Sequence, residues 1–366
     1  MKTTLQTRSE RNSFITVAKG VSIVTIVLYH YLPYVSSAGL LSRAYYIGGA
    51  GIYIFLFASG YGLYHSRVTT WASYCKKRFA RVLVPYYIGI TVIFLLNAHL
   101  HIYPDGWKEY LSHMLLFKMF YEPYASSFGN HFWFIATIVQ FYMLWPVLLA
   151  GINRFSAAQV ISASILISVG YSVVITLLGV SGVTIWFRFV LQYIWVLVLG
   201  AVVAKHGWLP ALLNYSYRVY VGVVLLCLGI VLVIAGFAGE GGMLFNDYFM
   251  FLGFSAGCAV VYFISLRITL FKRLAIWVES FSYSLYILHM FVLLAYLSFR
   301  KQEHIGLAEL PVVVAAALLT ALLFHKLTLQ LTSHSVFRRK STDPATQVEA
   351  AESEEKVYNK LSQKSL

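Results

Sequence analysis

The sequence predicts an all-α polytopic membrane protein, a bundle of about ten transmembrane helices with both termini in the cytoplasm. Three observations predict it. The 366-residue chain is 59% hydrophobic and only 11% charged, with a mean hydropathy of +0.72, more apolar surface than a water-soluble core can hide. Its apolar residues fall in stretches of the roughly 20 residues needed to cross a bilayer. Its lysines and arginines gather in alternate connections, as they do on the cytoplasmic side of membrane proteins.

The stretches lie at 14–32, 44–63, 82–100, 132–150, 160–178, 184–204, 217–237, 248–268, 281–299 and 311–331. Lys2, Arg8 and Arg11 precede the first. Arg67, Lys76, Lys77, Arg78 and Arg81 fill the second connection, Lys205 and Arg218 bound the sixth, and Arg267, Lys272 and Arg273 sit in the eighth. Arg338, Arg339 and Lys340 follow the last stretch, so the even-numbered connections and both termini read as cytoplasmic. Arg300 and Lys301, in the ninth connection, run against this trend. The formal charge of +14 is mostly this asymmetry and calls for no nucleic-acid partner. The first stretch has full spanning length and no small-residue cleavage site, so it reads as a signal anchor. Cys75, Cys227 and Cys258 lack metal or redox spacing and read as free thiols. Residues 1–340 read as the transmembrane domain, and 341–366, polar and charged, as a disordered cytoplasmic tail.

Two ionisable residues share the first stretch. Lys19 and His30 are eleven residues apart, almost a whole number of turns, so they occupy one helix face about 16 Å apart along the axis. An ionisable group in hydrocarbon is costly unless it faces a protein interior or a wet cavity, which makes this face a functional pathway. Lys19 suits an anion. His30 suits proton transfer, because imidazole titrates near neutrality. Arg78 and Arg81, three residues apart, present a planar-donor pair suited to phosphate on the same membrane side as Lys19. The same arginines also serve as an ordinary topological anchor, and both readings stand at this point.

Gly48-Gly49-Ala50-Gly51 and Ala58-Ser59-Gly60 bracket the second stretch. Small residues let helices approach closely, or leave room for an extended ligand arm with Ser59 as a polar contact. The third connection is the longest, and its Tyr103, Trp107, Tyr110, Tyr121 and Tyr124 lead to His131 and Trp133. Such aromatics form an interfacial belt or a sugar-stacking platform. Arg188 is a cation without an acidic partner nearby in sequence. Ser282, Tyr286 and His289 fall on one helix face, a candidate interhelical hydrogen-bond seam. No His, Cys or carboxylate spacing points to a metal.

Taken together, these motifs resemble the acyltransferase family 3 integral-membrane proteins, from about Arg11 to Leu331. The family's basic residue, ten-residue gap and histidine stand as Lys19 and His30, and its Phe-rich Ser-Gly-Phe/Tyr turn as Phe55 to Tyr61 with Ser59. Its Arg-x-x-Arg stands as Arg78 and Arg81, leading to Pro85-Tyr86. The tryptophan-led fourth helix stands as His131-Phe132-Trp133 through Tyr142 to Pro146, and the Ser-Tyr-x-x-Tyr-x-x-His segment as Ser282 to His289. Two departures are visible: Lys19 stands where many members carry arginine, and Ile138 and Val139 stand where many carry a glutamate.

The resemblance implies transfer of an acyl group, most often acetyl, from cytosolic acyl-CoA to a hydroxyl of a cell-envelope carbohydrate at the plasma (inner) membrane. It implies no permanently bound cofactor, acyl-CoA being a co-substrate. Lys19, Arg78, Arg81 and Ser59 would hold acyl-CoA and His30 would act as general base. His131, Trp133, Arg188, Tyr286 and His289 would meet the acceptor glycan, and oligomeric state is left open. The other class compatible with Lys19 and His30 is a proton-coupled transporter or lipid-linked-sugar flippase, against which the absence of an internal repeat counts.

Overall fold

The computed structural model describes residues 2–36, 49–66, 70–237 and 239–336. Arg67, residues 44–48, Arg338 to Lys340 and the tail at 341–366 lie outside them. The helices are α1 (Lys2–Tyr31), α2 (Gly51–Tyr64), α3 (Trp71–Leu100), α4 (Trp107–Met114), α5 (Trp133–Arg154), α6 (Ala157–Leu177) and α7 (Thr184–Phe187). There follow α8 (Val190–His206), α9 (Leu209–Leu212), α10 (Tyr217–Phe237), α11 (Gly239–Arg267), α12 (Thr269–Ser280), α13 (Ser282–Arg300) and α14 (Leu310–Val336). Among the described residues nine helical segments are long and apolar enough to cross a membrane, with α2 a shorter apolar helix. No strand occurs among them, and one isolated bridge joins Val35 to Ile305. The protein is an all-α polytopic membrane protein. By compactness the chain divides into residues 1–322 and residues 323–366; the second unit holds the end of α14.

Local chemistry sets the helix limits. Thr70 caps α3 by accepting from the Ser73 amide, and Ser156 and Gln159 form a capping box on α6. Gly207 stops α8 in the left-handed conformation that glycine adopts without strain. Two limits differ from expectation. Helix α3 begins at Trp71, eleven residues before the apolar stretch, because Lys76, Lys77, Arg78 and Arg81 are good helix formers whose heads can stay in water while the backbone continues its ladder. Helix α12 is a separate amphipathic helix between two spans, with Ala275 and Val278 buried.

Helix α8 is the centre of the first unit, buried along most of its length and packed by α2, α5 and α6. Its contact with α2 is backbone on backbone. A Cβ on Gly60 would fall 1.9 Å from the Leu197 carbonyl oxygen, and one on Gly200 would fall 2.1 Å from that of Phe57. Gly60 of α2 therefore packs a helix interface, as one of the two readings held for this segment. Helix α1 touches α2, α11, α12 and α13, while α13 also meets α3. By contrast, α10 presents Leu225, Leu226 and Leu232 outward, as a lipid-facing helix does.

Candidate functional site

Three histidines from distant parts of the sequence meet at one place. His30 lies one residue before the end of α1, His131 in the 3-10 turn Asn130–Phe132 that leads into α5, and His289 in the first half of α13. Ring centroids are 4.8 Å apart for His131 and His289, 5.1 Å for His30 and His289, and 6.1 Å for His30 and His131. Hydrogen bonds clamp the three segments: the Tyr31 hydroxyl donates to the His289 carbonyl at 2.7 Å, and the Tyr286 hydroxyl to the His131 carbonyl. Of the seam expected along Ser282, Tyr286 and His289, the Tyr286 side chain makes a bond to another segment, whereas the His289 ring bonds within its own helix. Gly129, at φ +121°, makes the turn possible, since a Cβ there would lie 2.6 Å from the His131 ring.

The hydrogen bonds also assign the imidazole protons. His289 Nδ1 sits 2.9 Å from the Tyr286 carbonyl and 3.1 Å from that of Leu285, so it carries the proton and donates. His131 Nε2 faces the Ile287 carbonyl at 3.5 Å, which likewise places its proton there. His289 Nε2 and His131 Nδ1 are thereby left as bare lone pairs, buried and without partners among the described residues. His289 and His131 are 0% and 3% exposed, whereas His30 is half-buried and has no hydrogen-bond partner among the described residues. Of the three, His30 is the least buried.

Beside the histidines stands a second polar group. The Arg188 guanidinium lies over the Trp133 ring at 4.2 Å and the Phe187 ring at 4.6 Å, and reaches the Tyr193 hydroxyl at 3.4 Å. Trp133 and Tyr193 stack at 5.3 Å. Asp247 of α11 accepts from the Tyr53 hydroxyl and from Gln192 Nε2 at 3.2 Å, and Ser172 donates to Gln192 Oε1 at 2.6 Å. Sequence reading singled out Arg188 and Trp133 but missed Asp247, although an acidic residue bordering an apolar stretch was the available signal.

At the other end of the α1 face the structure adds a carboxylate. Lys19 pairs with Glu279 of α12, each about a quarter exposed. The approach is close because α1 has Gly20 there; a Cβ on it would sit 2.1 Å from the Ala275 carbonyl oxygen. Continuity of α1 from Lys2 to Tyr31 keeps Lys19 and His30 on one rod. Arg78 is half-buried and Arg81 exposed on α3, both near Tyr142. No ion pair or hydrogen bond joins them to Lys19 among the described residues. Ser59 on α2 is half-buried and makes no hydrogen bond among them.

The long third connection is built around buried polar groups. Lys118 is 2% exposed and donates to the Ser127 carbonyl at 3.1 Å. Burial pushes its amine down to about 7, with the negative charge of Asp105 a weaker opposing influence. His113 accepts from the Tyr86 hydroxyl at 2.7 Å and reaches Ser127 Oγ with its other nitrogen at 2.9 Å. Burial, and then the Lys118 charge, hold its imidazole well below the usual range, in keeping with a neutral ring. Of the aromatics, Tyr110 stacks on Phe94 at 4.5 Å, while Trp107 and Tyr121 stand exposed.

Residues 12–326 match the family model described as an acyltransferase domain. No curated protein and no solved structure matches the chain.

Proposed function

The chain belongs to the acyltransferase 3 family, and from that premise we propose that it moves an acyl group, acetyl first of all, from acyl-CoA to a hydroxyl of a cell-envelope carbohydrate. A membrane acyltransferase needs a base where donor and acceptor meet. The observation that carries the reading is the convergence of His30, His131 and His289, with His30 the least buried of the three.

In this reading the acceptor hydroxyl gives its proton to His30 as its oxygen attacks the thioester carbonyl carbon. The tetrahedral adduct then collapses, the C–S bond breaks, and His30 returns the proton to the CoA thiolate. The bare Nε2 of His289 is the natural acceptor for an N–H of His30, which would fix that ring and leave its other nitrogen as base. Trp133 and His131, both buried, would wall the acceptor site without an open face of their own. Tyr286 would act indirectly, by holding His131 in place.

Lys19, Arg78 and Arg81 would bind the phosphates on the cytosolic side of the plasma membrane, and the pantetheine arm would run along α1 past Ser59. About 16 Å of helix rise separates Lys19 from His30, a distance such an arm can span. Lys19 would exchange Glu279 for phosphate as the donor arrives. The test is release of CoA from acetyl-CoA by the purified protein in nanodiscs, with labelled acetyl recovered on an envelope glycan. CoA release that depends on His30 supports the reading; absence of thioester cleavage, as a transporter would show, overturns it.

A further inference from the structure

We propose that Arg188 is a second catalytic residue, whose guanidinium takes the oxygen of the thioester carbonyl and holds the negative charge that develops there during acyl transfer. The inference rests on the acyl-transfer reading and adds a residue that stabilises the reaction's charge.

A guanidinium carries five N–H groups and stays charged at every physiological pH. In the structure one of them reaches the Tyr193 hydroxyl at 3.4 Å, a long bond, while Nε is buried with no partner. Among the described residues the ion pairs are Lys19 with Glu279 and Arg300 with Glu309, so Arg188 has no carboxylate within 4.0 Å. Asp247, on the neighbouring helix, lies within reach of the Arg188 charge but beyond 4.0 Å, and its oxygens are occupied by Tyr53 and Gln192. A cation inside the hydrocarbon layer is costly without an anion, and leaving its donors unmet adds to that cost. The arrangement suits an anion that is present only during turnover.

Position identifies that anion. Arg188 is held by the stacked Trp133 ring, two residues beyond His131, and by a bond from Thr137 Oγ1 to its own carbonyl at 2.9 Å. It stands close enough to His30 for its charge to act on that ring. When the hydroxyl oxygen bonds to the carbonyl carbon, the C=O electron pair moves onto oxygen. When the C–S bond breaks, the pair returns, and the proton passes from His30 to the thiolate. The negative charge therefore appears beside the general base and vanishes with product. A donor set built in advance for such a charge lowers the barrier without tightening ground-state binding.

The test uses Arg188→Gln and Arg188→Lys in nanodiscs, with acetyl-CoA as probe, water and an envelope glycan as acceptors, and calorimetry for donor affinity. The Arg188→Gln protein should bind acetyl-CoA within about threefold of wild type yet release CoA about 10²- to 10³-fold more slowly to either acceptor. Arg188→Lys should recover part of the rate, because it restores the charge without the two-pronged geometry. If Arg188→Gln does not fold, Arg188→Lys decides alone: a tenfold or larger loss in kcat at unchanged donor affinity supports the proposal, and an unchanged kcat overturns it. Unchanged CoA release to water with a raised KM for glycan also overturns it, and makes Arg188 an anchor for an acidic acceptor. Wild-type protein that cleaves no acetyl-CoA would overturn the acyl-transfer reading itself, whereas active wild type with active variants overturns only this inference.

Discussion

Replacing Lys118 with methionine should stabilise the protein at low pH and lose that advantage as pH rises. The lysine is 2% exposed, and burial lowers its amine from 10.5 to about 7. Each pH unit of displacement corresponds to about 1.4 kcal/mol, so the charged form costs the folded state about 5 kcal/mol. The sign follows from proton counts. Between pH 7 and 10.5 the unfolded chain holds the proton while the folded chain has released it, so wild-type stability should rise with pH across that window. Below pH 7 both states are charged and the cost is complete. Methionine fills nearly the same volume without a charge; it loses the cation's approach to the Phe132 ring at 5.6 Å and the bond to the Ser127 carbonyl, worth about 1 kcal/mol, while His113 still approaches that oxygen at 3.1 Å. The variant should therefore be more stable than wild type by about 4 kcal/mol at pH 6 and about equal to it near pH 10, where the unfolded amine is still mostly protonated. Reversible unfolding of both proteins in micelles from pH 6 to 10 measures the difference. A difference independent of pH, or a variant less stable at pH 6, would mean that burial does not penalise the Lys118 cation.

Further predictions concern the donor end and the helix core. Glu279→Gln should tighten acetyl-CoA binding by about two- to fivefold, since it frees Lys19 from a quarter-exposed pair worth under about 1 kcal/mol, and Arg81→Ala should weaken it; calorimetry on the three proteins decides, and unchanged affinity in both removes these groups from donor binding. Gly60→Ala should cost about 3 kcal/mol or prevent folding, because the added methyl meets the Leu197 carbonyl oxygen at 1.9 Å with backbone on both sides. Wild-type melting behaviour in that variant would mean that α2 and α8 are not packed so closely.

Much of the site is legible in the sequence one residue at a time. Intramembrane ionisable groups stand out against apolar neighbours, which is why His30, His131, Arg188 and His289 each draw attention in the sequence alone. Their convergence is not legible there, because more than 250 residues separate His30 from His289 and helix periodicity relates neighbours only within one element. Asp247 escapes for a specific reason: the apolar stretch begins at Tyr248, one residue later, so the aspartate reads as part of a connection, while α11 carries it into the bundle. Glu279 escapes because α12 is amphipathic, with a period that hydropathy averaging erases. Lys19 accordingly looks like a free cation in the sequence, and its partner lies 260 residues away. The Ser-Gly turn of α2 is ambiguous between packing and ligand room. Backbone contact with α8 assigns Gly60 to packing.

The central claim, that His30 is the base of an acyl transfer, meets its most direct test in single-turnover CoA release from acetyl-CoA by wild type and His30→Ala in nanodiscs, with donor affinity measured on the same samples. The account predicts a loss of at least about 10²-fold in the variant with acetyl-CoA affinity retained. CoA release at a near wild-type rate in His30→Ala would contradict it.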